Sequence, residues 1–212
     1  MSRTTLYFSR STASLAVHWL LIELGVPHEL HELDFDKRDQ KSADYLKLNP
    51  AGVVPTLVMD GQVITETAAI LMHLADLHPV AALAPAVATT RRAQYYRWML
   101  FCANTLMPAY RAWFYSDEIA GAANNESTQH HARLKLEAAW QQVADHLRDH
   151  GPYLLGTQRS AADFLLTMLM RWSRNMPKPT DRWPTLHTYA QRMKAMPSFK
   201  EVYAREGLTD WT

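Results

Sequence analysis

Asn49-Pro50-Ala51-Gly52-Val53-Val54-Pro55-Thr56-Leu57-Val58-Met59-Asp60-Gly61-Gln62-Val63-Ile64-Thr65-Glu66-Thr67 reads as loop, strand, tight turn, strand and helix start. Residues 56–59 and 62–64 are β-formers separated by Asp60-Gly61, a two-residue hairpin signal. Pro55 removes a backbone donor just ahead of the first strand, a loss that a central strand position does not tolerate. Thr65-Glu66-Thr67 then opens a helical pattern at Ala68, Ala69, Leu71, Met72, Leu74 and Ala75. A proline-marked turn and a helix N-terminus therefore lie close together in sequence. Such a turn can expose backbone N–H and C=O to a peptide, and a helix N-terminus attracts a carboxylate.

Upstream, Leu6, Tyr7 and Phe8 make a short apolar strand, and residues 9–14 are rich in helix-capping types. Residues 15–24 carry a helical apolar pattern stopped by Gly25 and Pro27. Residues 28–34 read as a second strand with poor alternation, 36–41 as a charged loop and 42–48 as a short helix. The order β-α-β-α-β-β-α is the thioredoxin-like arrangement: crossover helices imply parallel pairing first, and the tight hairpin antiparallel pairing after it. Residues 77–90, with His78-Pro79, Ala84-Pro85 and many alanines, read as a linker. Everything beyond is helical in pattern. The spacing predicts one long helix from Arg91 to about Glu118, bent near Pro108, and a second over 127–150 with Leu134, Ala138, Val143 and Leu147 on or near one face. Ser160 is a candidate N-cap answered by Asp163, and Pro184 and Pro197 each mark a helix start. The expected division is 1–78, a linker at 79–90, and an all-α domain over 91–212.

Val54-Pro55 at this distance from Glu66-Thr67, with Asp60-Gly61 between, resembles the glutathione-binding half of glutathione S-transferases. The resemblance covers nearly the whole chain, the Ser160-x-x-Asp163 box included. It implies an α/β thioredoxin-like N-terminal domain plus an all-α C-terminal domain, with glutathione as co-substrate. It implies a cis bond at Val54–Pro55, backbone pairing of Val54 with the cysteinyl unit, and a γ-glutamyl site at Glu66 and Thr67. Residues 39–42 resemble the phi-class loop whose lysine, here Lys41, meets the glycyl carboxylate. Lys37 and Arg38 are near enough to substitute. Thiol activation falls to the turn after the first strand. Ser11 matches the serine of the zeta and phi classes. Ser14 matches the serine that follows the beta-class cysteine, a cysteine replaced here by Ala13. The tyrosine classes leave Tyr7 as a competitor. The task of such a group is to favour the thiolate, which is the nucleophile. Tyr110, Trp113 and Phe114 lie where the family's acceptor-substrate wall stands, against a small hydrophobic electrophile.

The 212 residues carry a formal net charge of +1, with the basic residues scattered. That pattern argues against nucleic acid, and no run of about 18 apolar residues argues for a membrane span. No signal-peptide pattern precedes the first strand, and a lone Cys102 forbids an intramolecular disulfide, so the expected setting is the cytoplasm. The ten histidines show no metal spacing, and no metal is expected. The resemblance implies a homodimer, expected to be built mainly from residues 91–150 of each chain against the other's first domain, as apolar residues such as Met99, Leu100 and Phe101 suggest, with detoxification as the role. Two alternatives stand beside conjugation: a glutathione-dependent isomerase or dehalogenase, and a non-catalytic family-like interaction protein.

Overall fold

The computed structural model describes residues 3–212. Two compact units divide at Ala84/Pro85, and residues 193–212 belong with the first unit. That grouping differs from two consecutive blocks, because the last helix packs on the first one.

The first unit is built on four strands: β1 (Thr4–Phe8), β2 (Glu29–Glu32), β3 (Thr56–Met59) and β4 (Gln62–Thr65). Their order is β2-β1-β3-β4, with β1 parallel to β2 and antiparallel to β3, and β3 antiparallel to β4. β1 alternates buried and half-buried, as a central strand should. β2 is exposed along its length and carries Glu29 and Glu32, which explains its poor alternation and protects an edge. Asp60 and Gly61 take φ of 49° and 80°, the left-handed pair that a two-residue hairpin needs. Helix α1 (Ser14–Glu23) is buried from Ser14 to Leu21, and α2 (Ala43–Leu48) is capped by Ser42, which accepts from the Tyr45 N–H. α3 (Thr67–Leu77) packs on α1. α10 (Pro197–Glu206) closes the other side of α1: Trp19 donates its indole N–H to Ser198 Oγ at 2.9 Å, and its ring meets Phe199 edge-on.

The second unit is helical: α4 (Thr90–Phe101), α5 (Met107–Phe114), α6 (Ser116–Ala120), α7 (Asn125–His150), α8 (Ala161–Trp172) and most of α9 (Pro184–Lys194). The single bent helix expected over 91–118 is three pieces. A π-helical turn occupies Cys102–Leu106 and ends two residues before Pro108. The proline ring crowds the carbonyl four residues earlier, that of Asn104, and a widened turn there relieves the clash. α7 buries Leu136, Trp140, Val143 and Leu147, a clean four-three-four stripe, whereas Leu134 is exposed because it lies two residues, about 200°, off that stripe. α8 is buried at every residue from Ala161 to Arg171 and forms the unit's central rod. Met99 is fully buried in this unit, so of the three apolar residues singled out for an interface only Leu100 is strongly exposed.

Candidate active site

Strand register decides which loops meet. Phe8 at the end of β1 pairs with Glu32 at the end of β2, and Tyr7 with Thr56 at the start of β3. Thr56 in turn pairs with Thr65 at the end of β4. The segments that leave or enter the sheet at this one end are 9–13, 33–42, 53–55 and 66–67. Ser11, Lys41, Val54, Pro55, Glu66 and Thr67 therefore lie on segments gathered at one end of the sheet, although Ser11 and Thr67 are 56 positions apart (67 − 11).

The loop from β1 to α1 is held by its own hydroxyls. Thr12 and Ser14 Oγ atoms lie 2.8 Å apart and both reach the Ser9 carbonyl, at 2.7 and 3.0 Å. Ser14 is fully buried and committed to this network, while Ser11 is half-buried at φ 64°, in the left-handed region. Ser11 donates its N–H to Glu206 Oε2 at 3.3 Å. The other carboxylate oxygen, Oε1, meets His18 Nδ1 at 2.9 Å, and both side chains are wholly shielded from solvent. Tyr7 packs its ring against His31 and Tyr45, in the cluster that also contains Leu33 and Val54.

Val54 is buried and its bond to Pro55 is cis, as the resemblance implies. Glu66 is exposed, sits at φ 68° as the N-cap residue of α3, and accepts the Ile70 N–H with its carbonyl. Thr67 is buried beside it. Among the three candidate cations, Lys37 pairs with Asp34 at 2.8 Å, and that bond pulls the Asp34 carboxyl below its ordinary range. Arg38 stands in the left-handed turn that precedes the 39–41 helical turn. Lys41 instead donates to the Ala51 carbonyl at 3.2 Å, on the loop that leads to Val54. Gly52 makes that approach possible: a Cβ there would lie 2.7 Å from Lys41 Nζ and 2.8 Å from the Gln40 carbonyl, at φ +60°. Gly52→Ala is expected to cost about 1–3 kcal/mol in a urea titration, from the left-handed backbone and the backbone clash together. A midpoint equal to the parent's would show that the loop gives way instead.

In the helical unit, Tyr110 has 0% exposure, and its hydroxyl accepts from Trp140 Nε1 at 3.3 Å. Burial pushes its phenol above the ordinary value. It is a core residue of that unit. Phe114 stacks on Tyr110 yet is 49% exposed, and Trp113 is half-buried. Cys102 is buried in the π turn, where burial drives its thiol pKa up, away from thiolate chemistry. Among the described residues, no group of three His, Cys, Asp or Glu side chains is placed to hold a metal ion, and no helix is long and apolar enough to cross a membrane.

Two family models match: the glutathione S-transferase N-terminal domain over residues 10–77 and the C-terminal domain over 103–206. The chain is 33% identical over 204 residues to glutathione S-transferase GST-4.5 of Xanthomonas campestris pv. campestris, covering 96% of this chain and 98% of that one. A glutathione transferase homologue from Sulfitobacter, solved with bound glutathione, superimposes with a TM-score of 0.90 at 32% identity, covering 99% of this chain and all of the other. A maleylacetoacetate isomerase of Dictyostelium discoideum is 25% identical over 205 residues, 95% of this chain and 93% of that one. The chain belongs to the glutathione S-transferase family.

Sequence reasoning missed His18, Glu206, Tyr45 and Asn49. His18 did leave a signal, as the one polar side chain in the apolar run 15–22. A polar group on a helix buried all round needs a partner. Nothing local names that partner, because it lies 188 residues away.

Proposed function

We propose that the protein conjugates the glutathione thiolate to a small apolar electrophile, with Ser11 as the hydroxyl that stabilises the thiolate. Val54 and Pro55 present the backbone edge for the cysteinyl unit, Glu66 and Thr67 hold the γ-glutamyl end, and Lys41 meets the glycyl carboxylate. The observation that carries this reading is the convergence of all six residues on one end of the sheet. Ser14 fits the role less well, since its oxygen is buried and already bonded twice within the loop. The relative named a maleylacetoacetate isomerase supports a second reading, glutathione-dependent isomerisation at the same site.

A free thiol with a pKa of about 8.5 is only a few per cent ionised at neutral pH. One hydrogen bond to the charged form contributes roughly 1.5–3 kcal/mol, or about one to two pKa units. The N-terminus of α1, which begins three residues after Ser11, acts in the same direction. Ser11→Ala is thus expected to leave glutathione affinity nearly intact and to raise the pKa of the bound thiol by roughly one to two units. Ultraviolet titration of the binary complex measures it. A shift in Ser14→Ala or Tyr7→Phe, with none in Ser11→Ala, transfers the role to that residue.

Glu66→Ala tests the other end of the tripeptide. Alanine carries the same Cβ into the same left-handed backbone, so strain is unchanged and the loss reports the carboxylate. A charge-assisted contact predicts roughly tenfold weaker binding or more by calorimetry. Equal affinity would remove Glu66 from the site. For the acceptor wall, Trp113 and Phe114 are retained, and Tyr110 acts behind them. We also propose a homodimer through the 91–150 helices, supported by exposed Tyr96, Leu100 and Leu134, and a role in detoxification in the cytoplasm. Light scattering at micromolar concentration should give twice the chain mass.

A further inference from the structure

Tyr45, Asn49 and Thr56 are buried polar residues that the assignments above leave unused. They form a closed ring of hydrogen bonds around one backbone carbonyl. The Val53 carbonyl accepts from Tyr45 Oη at 2.6 Å and from Asn49 Nδ2 at 2.8 Å. Asn49 Nδ2 also donates to Thr56 Oγ1 at 3.1 Å, and Thr56 Oγ1 lies 2.8 Å from Tyr45 Oη. One proton arrangement satisfies every contact. Asn49 uses both its hydrogens, Thr56 donates to the phenol, and the phenol donates to Val53. Asn49 Oδ1 meanwhile accepts the Ala51 N–H at 3.1 Å. Burial holds the Tyr45 phenol above its ordinary value, so it remains a donor throughout the neutral range.

The local structure explains why these groups converge. Tyr45 and Asn49 are four residues apart, on α2 and at its C-cap, and so project from one side. Thr56 is the first residue of β3, paired with Tyr7. The ring thus joins helix, loop and sheet at the carbonyl one residue before Val54.

That carbonyl belongs to the peptide unit whose other end is the Val54 N–H. The Val53–Val54 bond is trans, so its C=O and N–H point in opposite directions within one plane. Two donors holding the oxygen inward turn the N–H outward. We infer that Tyr45 is a positioning residue for glutathione: with Asn49 it sets the Val53–Val54 peptide plane that presents Val54 to the cysteinyl unit. The inference rests on the reading of Val54 given above. Pre-setting a backbone edge removes ordering that the ligand would otherwise have to impose on binding.

Calorimetric titration of the full-length protein with glutathione tests it. Tyr45→Phe removes one donor and keeps the packed ring, and it is expected to bind about tenfold more weakly, as loss of one net hydrogen bond to the presented edge implies. Stoichiometry should stay at one per chain, and the bound thiol should titrate as in the parent. Thr56→Val leaves both bonds to Val53 in place and is expected to bind within about twofold of the parent. Should Tyr45→Phe not fold, Asn49→Asp makes the same test, because it keeps the acceptor for Ala51 and removes the donors. Parental affinity in Tyr45→Phe overturns the inference. So does a fall in stoichiometry at parental affinity, which marks a purely structural role. An equal loss in Thr56→Val also overturns it, by tracing the effect to packing around the ring. Failure of the parent to bind glutathione overturns the reading of the site itself.

Discussion

Replacing Asp163 with alanine is expected to lower the stability of the protein by about 3–5 kcal/mol, the range for breaking a buried, multiply bonded charge site. The carboxylate is wholly shielded from solvent and gathers four donors. The Ser160 N–H reaches it at 2.7 Å, Ser160 Oγ and the Leu154 N–H at 3.0 Å, and the Tyr189 hydroxyl at 2.9 Å. It caps α8, the buried rod of the helical unit, and ties that helix to the preceding loop and to α9. Alanine takes the acceptor from the two N–H groups and from Ser160 Oγ, whereas the Tyr189 hydroxyl keeps the backbone carbonyl of residue 163 at 3.3 Å. Each orphaned buried group costs about 1–3 kcal/mol, and the losses overlap because the four share one acceptor pair. Asp163→Asn keeps one acceptor oxygen and nearly the same volume, so it should retain a large part of the stability. Urea unfolding decides the matter. A loss below about 1 kcal/mol for Asp163→Ala, at unchanged slope, would mean that the site relaxes and finds other partners.

Glu206→Ala is expected to cost a similar amount, about 3–5 kcal/mol, in the first unit. Its two oxygens serve different elements: one meets His18 in α1 and the other the Ser11 N–H in the turn before it. Among the described residues His18 Nε2 has no hydrogen-bond partner, so loss of Glu206 takes away the ring's bond at Nδ1 as well. Ser11 would lose the bond from its amide to Glu206, made at a left-handed backbone that costs a non-glycine residue about 1–3 kcal/mol. The variant therefore has a second readout. The thiol of its bound glutathione should titrate closer to the free value, as in Ser11→Ala. A chain that loses stability but keeps the parental thiol titration would confine Glu206 to the fold.

Much of the fold could be read because its signals are local. Asp60-Gly61 states its own turn, Ser160 and Asp163 state their cap, and the period change after Thr65 marks a helix. The proposed site residues follow the same logic, since the motifs that single out Val54, Glu66 and Lys41 each lie within a few positions of them. The limits appear where chemistry needs a distant partner. Nothing near Ser11 announces Glu206, 195 residues on, and nothing near Trp19 announces Ser198. Tyr110 and Met99 show the other limit: an aromatic or apolar residue on a helix faces either inward or outward, and only the packed neighbours decide which. Pro108 announced a break, whereas the π turn that accommodates it depends on how α4 and α5 are held.

The first unit is assembled from residues up to Ala84 together with residues 193–212. A ribosome makes these two parts far apart in time. At roughly 5–20 residues per second, the 188 residues between His18 and Glu206 take about 10–40 s to synthesise. Throughout that interval α1 lacks the helix that covers Trp19, and the serine turn lacks the carboxylate that holds it. The helical unit, continuous in sequence from Pro85 to Arg192, can be complete before α10 covers α1 in the first unit. The nascent chain thus carries an apolar helix with one side still bare, which chaperones can shield, and the turn at Ser11 gains its partner carboxylate only after residue 206 has emerged.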